Sequence, residues 1–210
     1  MTTSTTRSLR RATTLLIVAS LALASGCDKV TSRLGITGQI GGVAPRPIGP
    51  ERLRVALPER GVQATLAPVA KNGKTVVWQT LDGITLAFQQ GMLVSTRGLG
   101  EDLMTSDVSN RLMMLNGQLD GTYYPHIRSY LDGEYQTVFR SYQCQLQAQS
   151  REPDINRGNT SAARKLEETC VSPAGEFANT YWIGAAGQVI KSRQWVSPEI
   201  GMMETERVQR

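Results

Sequence analysis

The chain has 210 residues, one histidine, three cysteines and a formal net charge of +5. Arg7, Arg10 and Arg11 lie in the first 26 residues, which carry no acidic group; without them 20 Lys+Arg face 18 Asp+Glu, a net +2. That balance, with no Lys/Arg block, excludes an electrostatic nucleic-acid binder, and a single histidine excludes sites built on several.

The N-terminus reads in three parts. The arginines form a positive n-region, Ala12 to Leu23 form an apolar core, and Ala24-Ser25-Gly26 are the small residues a signal peptidase needs. The apolar stretch is shorter than the roughly 20 residues of a membrane-spanning helix. Leu23-Ala24-Ser25-Gly26-Cys27 is the processing pattern of a bacterial lipoprotein, with Leu23 one position further from the cysteine than usual. Cleavage before Cys27 and a thioether-linked diacylglycerol (palmitate-type lipidation) on it are expected, which attaches the chain to a membrane, since two or more acyl chains hold stably. An ordinary secretory signal is the competing reading. Arg10-Arg11 is followed by Ala-Thr-Thr-Leu-Leu, which does not support twin-arginine export. Asp28 follows the lipidated cysteine, and aspartate there retains lipoproteins at the inner membrane in enterobacterial sorting.

Residues 28–51 are rich in Gly and Pro and lack sustained periodicity, as expected of a tether. The domains expected are therefore a signal peptide at 1–26, lipidated cysteine and tether at 27–51, and one β-rich periplasmic domain at 52–210.

That domain reads as mainly β, an antiparallel meander or barrel-like sheet with one or two short helices. Leu53, Val55 and Leu57 alternate with Arg52, Arg54 and Ala56, and Val62, Ala64 and Leu66 continue in a second run. Lys71-Asn72-Gly73-Lys74 predicts a hairpin in which Asn-Gly supplies a type I′ turn. Val76-Val77-Trp78 follows, then a turn at Asp82-Gly83, alternation through Ile84, Leu86 and Phe88, and a short strand from Met92 to Thr96. Between Gly100 and Gly117, Met104, Val108, Leu112 and Leu115 fall at three- and four-residue steps, which predicts a short helix. A long strand from about Tyr135 to Ala148 places Val138, Tyr142, Cys144, Leu146 and Ala148 on one face. Residues 150–162 read as an exposed loop. Ala163 to Thr169 fits a helical turn or a strand equally. Strands at 180–183, 189–196 and 202–208 close the chain.

Once Cys27 is lipidated, Cys144 and Cys170 remain as an even pair in an oxidising compartment, so a disulfide is expected between them, with two unpaired buried thiols as the competing reading. No histidine lies near either in sequence, so no metal site and no cofactor are expected. His126 reads as a partly buried strand residue; no nucleophile elbow accompanies it. Glu101-Asp102 and Glu167-Glu168 read as solvated charges, because adjacent residues point in different directions. Asn159-Thr160-Ser161 matches a glycosylation triplet that a bacterial lipoprotein is not expected to use. In the last hairpin Trp182, Arg193, Gln194 and Trp195 form a candidate glycan or partner surface, since exposed aromatic faces beside polar donors suit sugar rings. Core tryptophans are the competing reading.

Asn179-Thr180-Tyr181-Trp182, the Gly187 turn, Val189-Ile190-Lys191-Ser192-Arg193-Gln194-Trp195, Pro198 and Glu204 resemble the C-terminal signature of the YjbF/GfcB family. Trp78-Gln79-Thr80-Leu81-Asp82-Gly83, Gly91-Met92-Leu93-Val94 and Thr96-Arg97-Gly98-Leu99 extend the likeness over roughly residues 50–208. These are lipoproteins of group 4 capsule and related exopolysaccharide clusters. The resemblance implies an antiparallel β protein of the cell envelope, at the outer membrane and facing the periplasm, with the inner membrane as the alternative that Asp28 raises. It implies a role in polysaccharide secretion or assembly beside export proteins and, through glycan binding, the polysaccharide itself. It carries no catalytic residues, so no enzyme is expected; a polysaccharide-modifying enzyme and a general envelope-assembly lipoprotein are the alternatives.

Overall fold

The computed structural model describes residues 46–119, 121–132, 134, 136–153 and 162–208. The expected signal peptide, Cys27, Asp28, most of the expected tether and the centre of the expected 150–162 loop lie outside them.

Twelve strands form one sheet: β1 (Arg52–Leu57), β2 (Val62–Asn72), β3 (Thr75–Gln79), β4 (Thr85–Gln89), β5 (Met92–Arg97), β6 (Leu103–Ser106), β7 (Tyr124–Leu131), β8 (Thr137–Pro153), β9 (Ala162–Ser172), β10 (Gly175–Ile183), β11 (Val189–Ser197) and β12 (Gly201–Val208). Among the described residues one α-helix, α1 (Ser109–Leu115), joins β6 to β7, and one 3-10 turn at Pro58–Arg60 joins β1 to β2. The strand order is β5-β4-β3-β2-β1-β12-β11-β10-β9-β8-β7-β6, and every neighbouring pair is antiparallel. The chain is a meander whose first and last strands pair with each other, Arg52 opposite Val208.

The sheet curls into a nearly closed barrel. Its two edges meet through side chains instead of a ladder. Leu103 N–H donates to Thr96 Oγ1 at 3.0 Å, Thr96 Oγ1 donates to Asp102 Oδ1 at 2.8 Å, and Arg97 reaches the Leu103 carbonyl at 3.2 Å. These contacts cover the unpaired edges, which would otherwise template pairing with another chain.

Several expectations shift. The helix predicted from Met104 onward is a strand first: Leu103–Ser106 is β6, and only Ser109–Leu115 is helical. The three- and four-residue steps ran across two elements: Met104 belongs to β6 and Val108 precedes the helix, so only Leu112 and Leu115 of that series are helical. The β2–β3 reversal is displaced by one residue, with Asn72 paired to Thr75 and Gly73, at φ 57°, in the loop. A type I′ turn instead closes β4–β5, where Gln90 and Gly91 have φ of 51° and 90°. The undecided stretch after residue 162 is β9, eleven residues long.

Two buried clusters occupy the barrel interior. One gathers Leu53, Val55, Leu66, Trp78, Leu86, Leu93 and Met203 from β1–β5 and β12; the other gathers Met114, Leu115, Tyr124, Cys144, Leu166, Cys170 and Tyr181 from α1 and β7–β10. α1 plugs the barrel end where β6 stops and β7 begins.

Candidate functional site

A buried polar network lies inside the second cluster. On β9 the alternation that turns Leu166 and Cys170 inward also turns Glu168 inward, to complete burial. Its Oε2 accepts hydrogen bonds from Asn179 Nδ2 at 2.7 Å and Tyr181 OH at 3.1 Å, and Oε1 accepts one from Tyr124 OH. Arg111, carried into the barrel by α1, places Nε 3.2 Å from Oε2. That contact is an ion pair outside hydrogen-bond geometry, since Nε has no hydrogen-bond partner. The guanidinium also sits over the Tyr181 ring, 5.5 Å from its centroid. Glu168 is thus not a solvated charge. Glu167, its neighbour, points outward and pairs with Lys165 at 2.9 Å.

Beside the network, Cys144 and Cys170 face each other across β8 and β9 and are joined as a disulfide. Glu168 lies within 4.8 Å of both sulfurs, but sulfurs bonded to each other do not offer thiolate ligands.

His126 on β7 is fully buried, where a partly buried residue was expected. Its Nδ1 lies 2.9 Å from the Asp107 carbonyl, and Nε2 lies 3.4 Å from Ser106 Oγ. Desolvation first, then the positive charges of Arg111 and Arg128, hold its pKa well below the usual 6.5. A serine beside a histidine is nucleophile chemistry in outline. Here both are sealed, at 4% and 1% exposure, so no substrate reaches them.

Arg128 and Tyr130, also on β7, cross the interior to β11. Arg128 donates to the Trp195 carbonyl and Tyr130 to the Val196 carbonyl, each at 2.9 Å. A bulge between Trp195 and Ser197 interrupts the β11–β12 ladder, and the β10–β11 ladder ends at Arg193. Those carbonyls therefore need other donors. Burial pushes the Tyr130 hydroxyl up to about 12, so it remains a donor.

The four residues expected to share one surface separate. Gln194 is 1% exposed and faces the interior, where Oε1 accepts from Leu93 N–H at 3.0 Å and Nε2 donates to the Gly91 carbonyl at 2.8 Å. It ties edge strand β5 to β11. Trp195 is half-buried and stacks on Phe177, centroids 5.7 Å apart. Only Trp182 and Arg193 stand on the outer face. Register puts them in two rows, one across five strands and one across four. Lys165, Trp182, Lys191, Glu206 and Arg54 form one row; Glu167, Thr180, Arg193 and Glu204 form the next. The Trp182 indole N–H donates to Glu152 at 2.8 Å, and Lys191 and Lys165 lie 4.9 and 5.7 Å from its ring centroid. The result is a charged lattice around one aromatic ring. On the outside of β7–β9, Ile127, Phe139 and Val171 are exposed among Ser141 and Gln143.

A family model described as group 4 capsule polysaccharide lipoprotein gfcB, YjbF matches residues 50–208. The chain belongs to the YjbF family. Among solved structures this YjbF member is similar to the hypothetical lipoprotein YmcC from Escherichia coli K12. Identity is 19%, coverage is 80% of this chain and 89% of that one, and the TM-score is 0.58. That likeness is one of fold. No curated protein gives a significant match. The YjbF span contains the whole buried network and both outer rows.

Sequence reasoning missed Glu168, Arg111 and Arg128. A signal existed for Glu168: once 162–172 is read as a strand, Leu166, Glu168 and Cys170 share a face. Arg111 and Arg128 gave none, because their partners are supplied by distant strands.

Proposed function

We propose that this chain is a non-catalytic capsule lipoprotein, lipidated on Cys27 and held at the periplasmic face of the outer membrane. There it supports secretion or assembly of capsule or exopolysaccharide through contacts with polysaccharide-export proteins or with the glycan. The match to a capsule lipoprotein family over residues 50–208 carries this reading. The sealed Ser106–His126 and Glu168–Arg111 groups favour a contact role over catalysis. The outer rows around Trp182 and Arg193 offer donors, acceptors and one ring, which suits a polar partner.

The test is deletion with complementation, read as surface polysaccharide, together with affinity capture from cross-linked envelopes. Wild type should restore surface polysaccharide and capture export proteins; Cys27→Ser should fail to restore it. Trp182→Ala with Arg193→Ala should reduce capture while leaving the fold intact. Unchanged polysaccharide on deletion, with no export component captured, overturns the reading.

A further inference from the structure

The barrel end opposite α1 is open. Register sets Leu57 opposite Val62, Val55 opposite Ala64 and Leu53 opposite Leu66, so these six residues form an inward apolar face. Leu66 at its floor is 1% exposed, whereas Val62 at the mouth is 53% exposed. An inward-facing residue that remains exposed marks a core left unfilled. The resulting cavity has a volume of about 250 Å³, with further walls from Leu86 and Leu99.

Three properties narrow what fits. A dry cavity of roughly 150 Å³ admits benzene, and drug-sized ligands need roughly 300–1,000 Å³; this one suits a slender group. Its walls are mostly apolar, with Gln63, Thr80 and Asp82 the polar residues among them, so a sugar would leave most of its hydroxyls without partners. The charged group on its lining is Asp82, at the β3–β4 turn beside Leu81, which is 88% exposed. A fatty-acid carboxylate or a phosphate at the mouth would meet like charge. What remains is an uncharged alkyl chain entering methyl end first, with Leu81 extending the apolar path outward.

We infer that this mouth is a lipid-chain site holding one uncharged alkyl chain. The chain is an acyl tail of a membrane glycerolipid, whose head group stays outside the mouth because the cavity holds only part of the tail. The site stands apart from the polysaccharide role, since it is read on the protein and not on the capsule.

The test uses the full-length protein in its own membranes. Cells are fed a palmitate analogue with a diazirine within the chain and a terminal alkyne, then irradiated, and adducts are mapped by mass spectrometry. Label should appear on peptides containing residues 62–66 and 84–86. It should be lost in Ala64→Phe, which fills the cavity, and in Val62→Trp, which blocks the mouth, provided the Cys144–Cys170 disulfide and the thermal midpoint are retained. An adduct of glycerolipid mass on these peptides supports the site; an adduct joining them only to the Cys27 peptide overturns the membrane-lipid assignment. Absence of label from these peptides, or equal label in wild type and filled variants, overturns it.

Discussion

Glu167 and Glu168 are neighbours with opposite fates, because successive strand residues face opposite sides of a sheet. Glu167 pairs with Lys165 in solvent, while Glu168 is held by Asn179, Tyr181, Tyr124 and Arg111 in the core. Truncating Glu168 strands a buried guanidinium and three donors. Glu168→Ala should therefore cost about 3–5 kcal/mol, against about 0–1 kcal/mol for Glu167→Ala, measured by denaturant unfolding. His126 makes a second test. Its folded pKa lies below 6.5 and its unfolded pKa near 6.5, so between the two values the unfolded chain binds the extra proton. The stability that neutral His126 contributes is complete above about pH 6.5 and is lost as pH falls toward the folded value. The slope from this group approaches about 1.4 kcal/mol per pH unit. Thermal midpoints from pH 6.5 downward should fall less steeply in His126→Gln than in wild type.

At the scale of elements, the strands were legible wherever one face is buried and the other wet, as in β1, whose Leu53, Val55 and Leu57 point inward. β6 was not legible, because four residues are too few to separate a period of two from one of 3.6. β9 was not, because its inward face carries a glutamate where alternation calls for an apolar residue. The β4–β5 turn has a close contact as well as a positive φ. A Cβ on Gly91 would sit 2.5 Å from Val189 Cβ, whereas one on Gly73 meets nothing within 4 Å. Gly91→Ala should cost about 2–4 kcal/mol and Gly73→Ala about 1 kcal/mol, the difference being the clash with β11. Across β8–β9 the Cys144–Cys170 bond, 26 residues apart in sequence, constrains the unfolded chain. Cys144→Ser with Cys170→Ser should lower stability by about 3–4 kcal/mol on the chain-entropy account, with calorimetry as the check.

For the whole molecule, address and architecture are separate problems. The proposed address rests on Cys27 and Asp28, outside the described residues. If Asp28 governs sorting, fractionation should find wild type at the inner membrane and Asp28→Ser at the outer; if the outer membrane is the native address, both should reach it. Architecture rests on long-range pairing: β1 with β12, and the β5 and β6 edges brought together by Thr96 and Asp102. Taken alone, the amino-acid order determined the mainly β class, most strands and the YjbF likeness, since all of these are local patterns of polarity, spacing and motif. Tertiary structure decided the rest. It put Gln194 inside and Trp182 outside, buried Glu168 against Arg111, sealed His126, and left one barrel mouth unfilled. A residue's face follows from its own strand, but its partners and its cover come from strands far along the chain, and only the closed sheet brings those together.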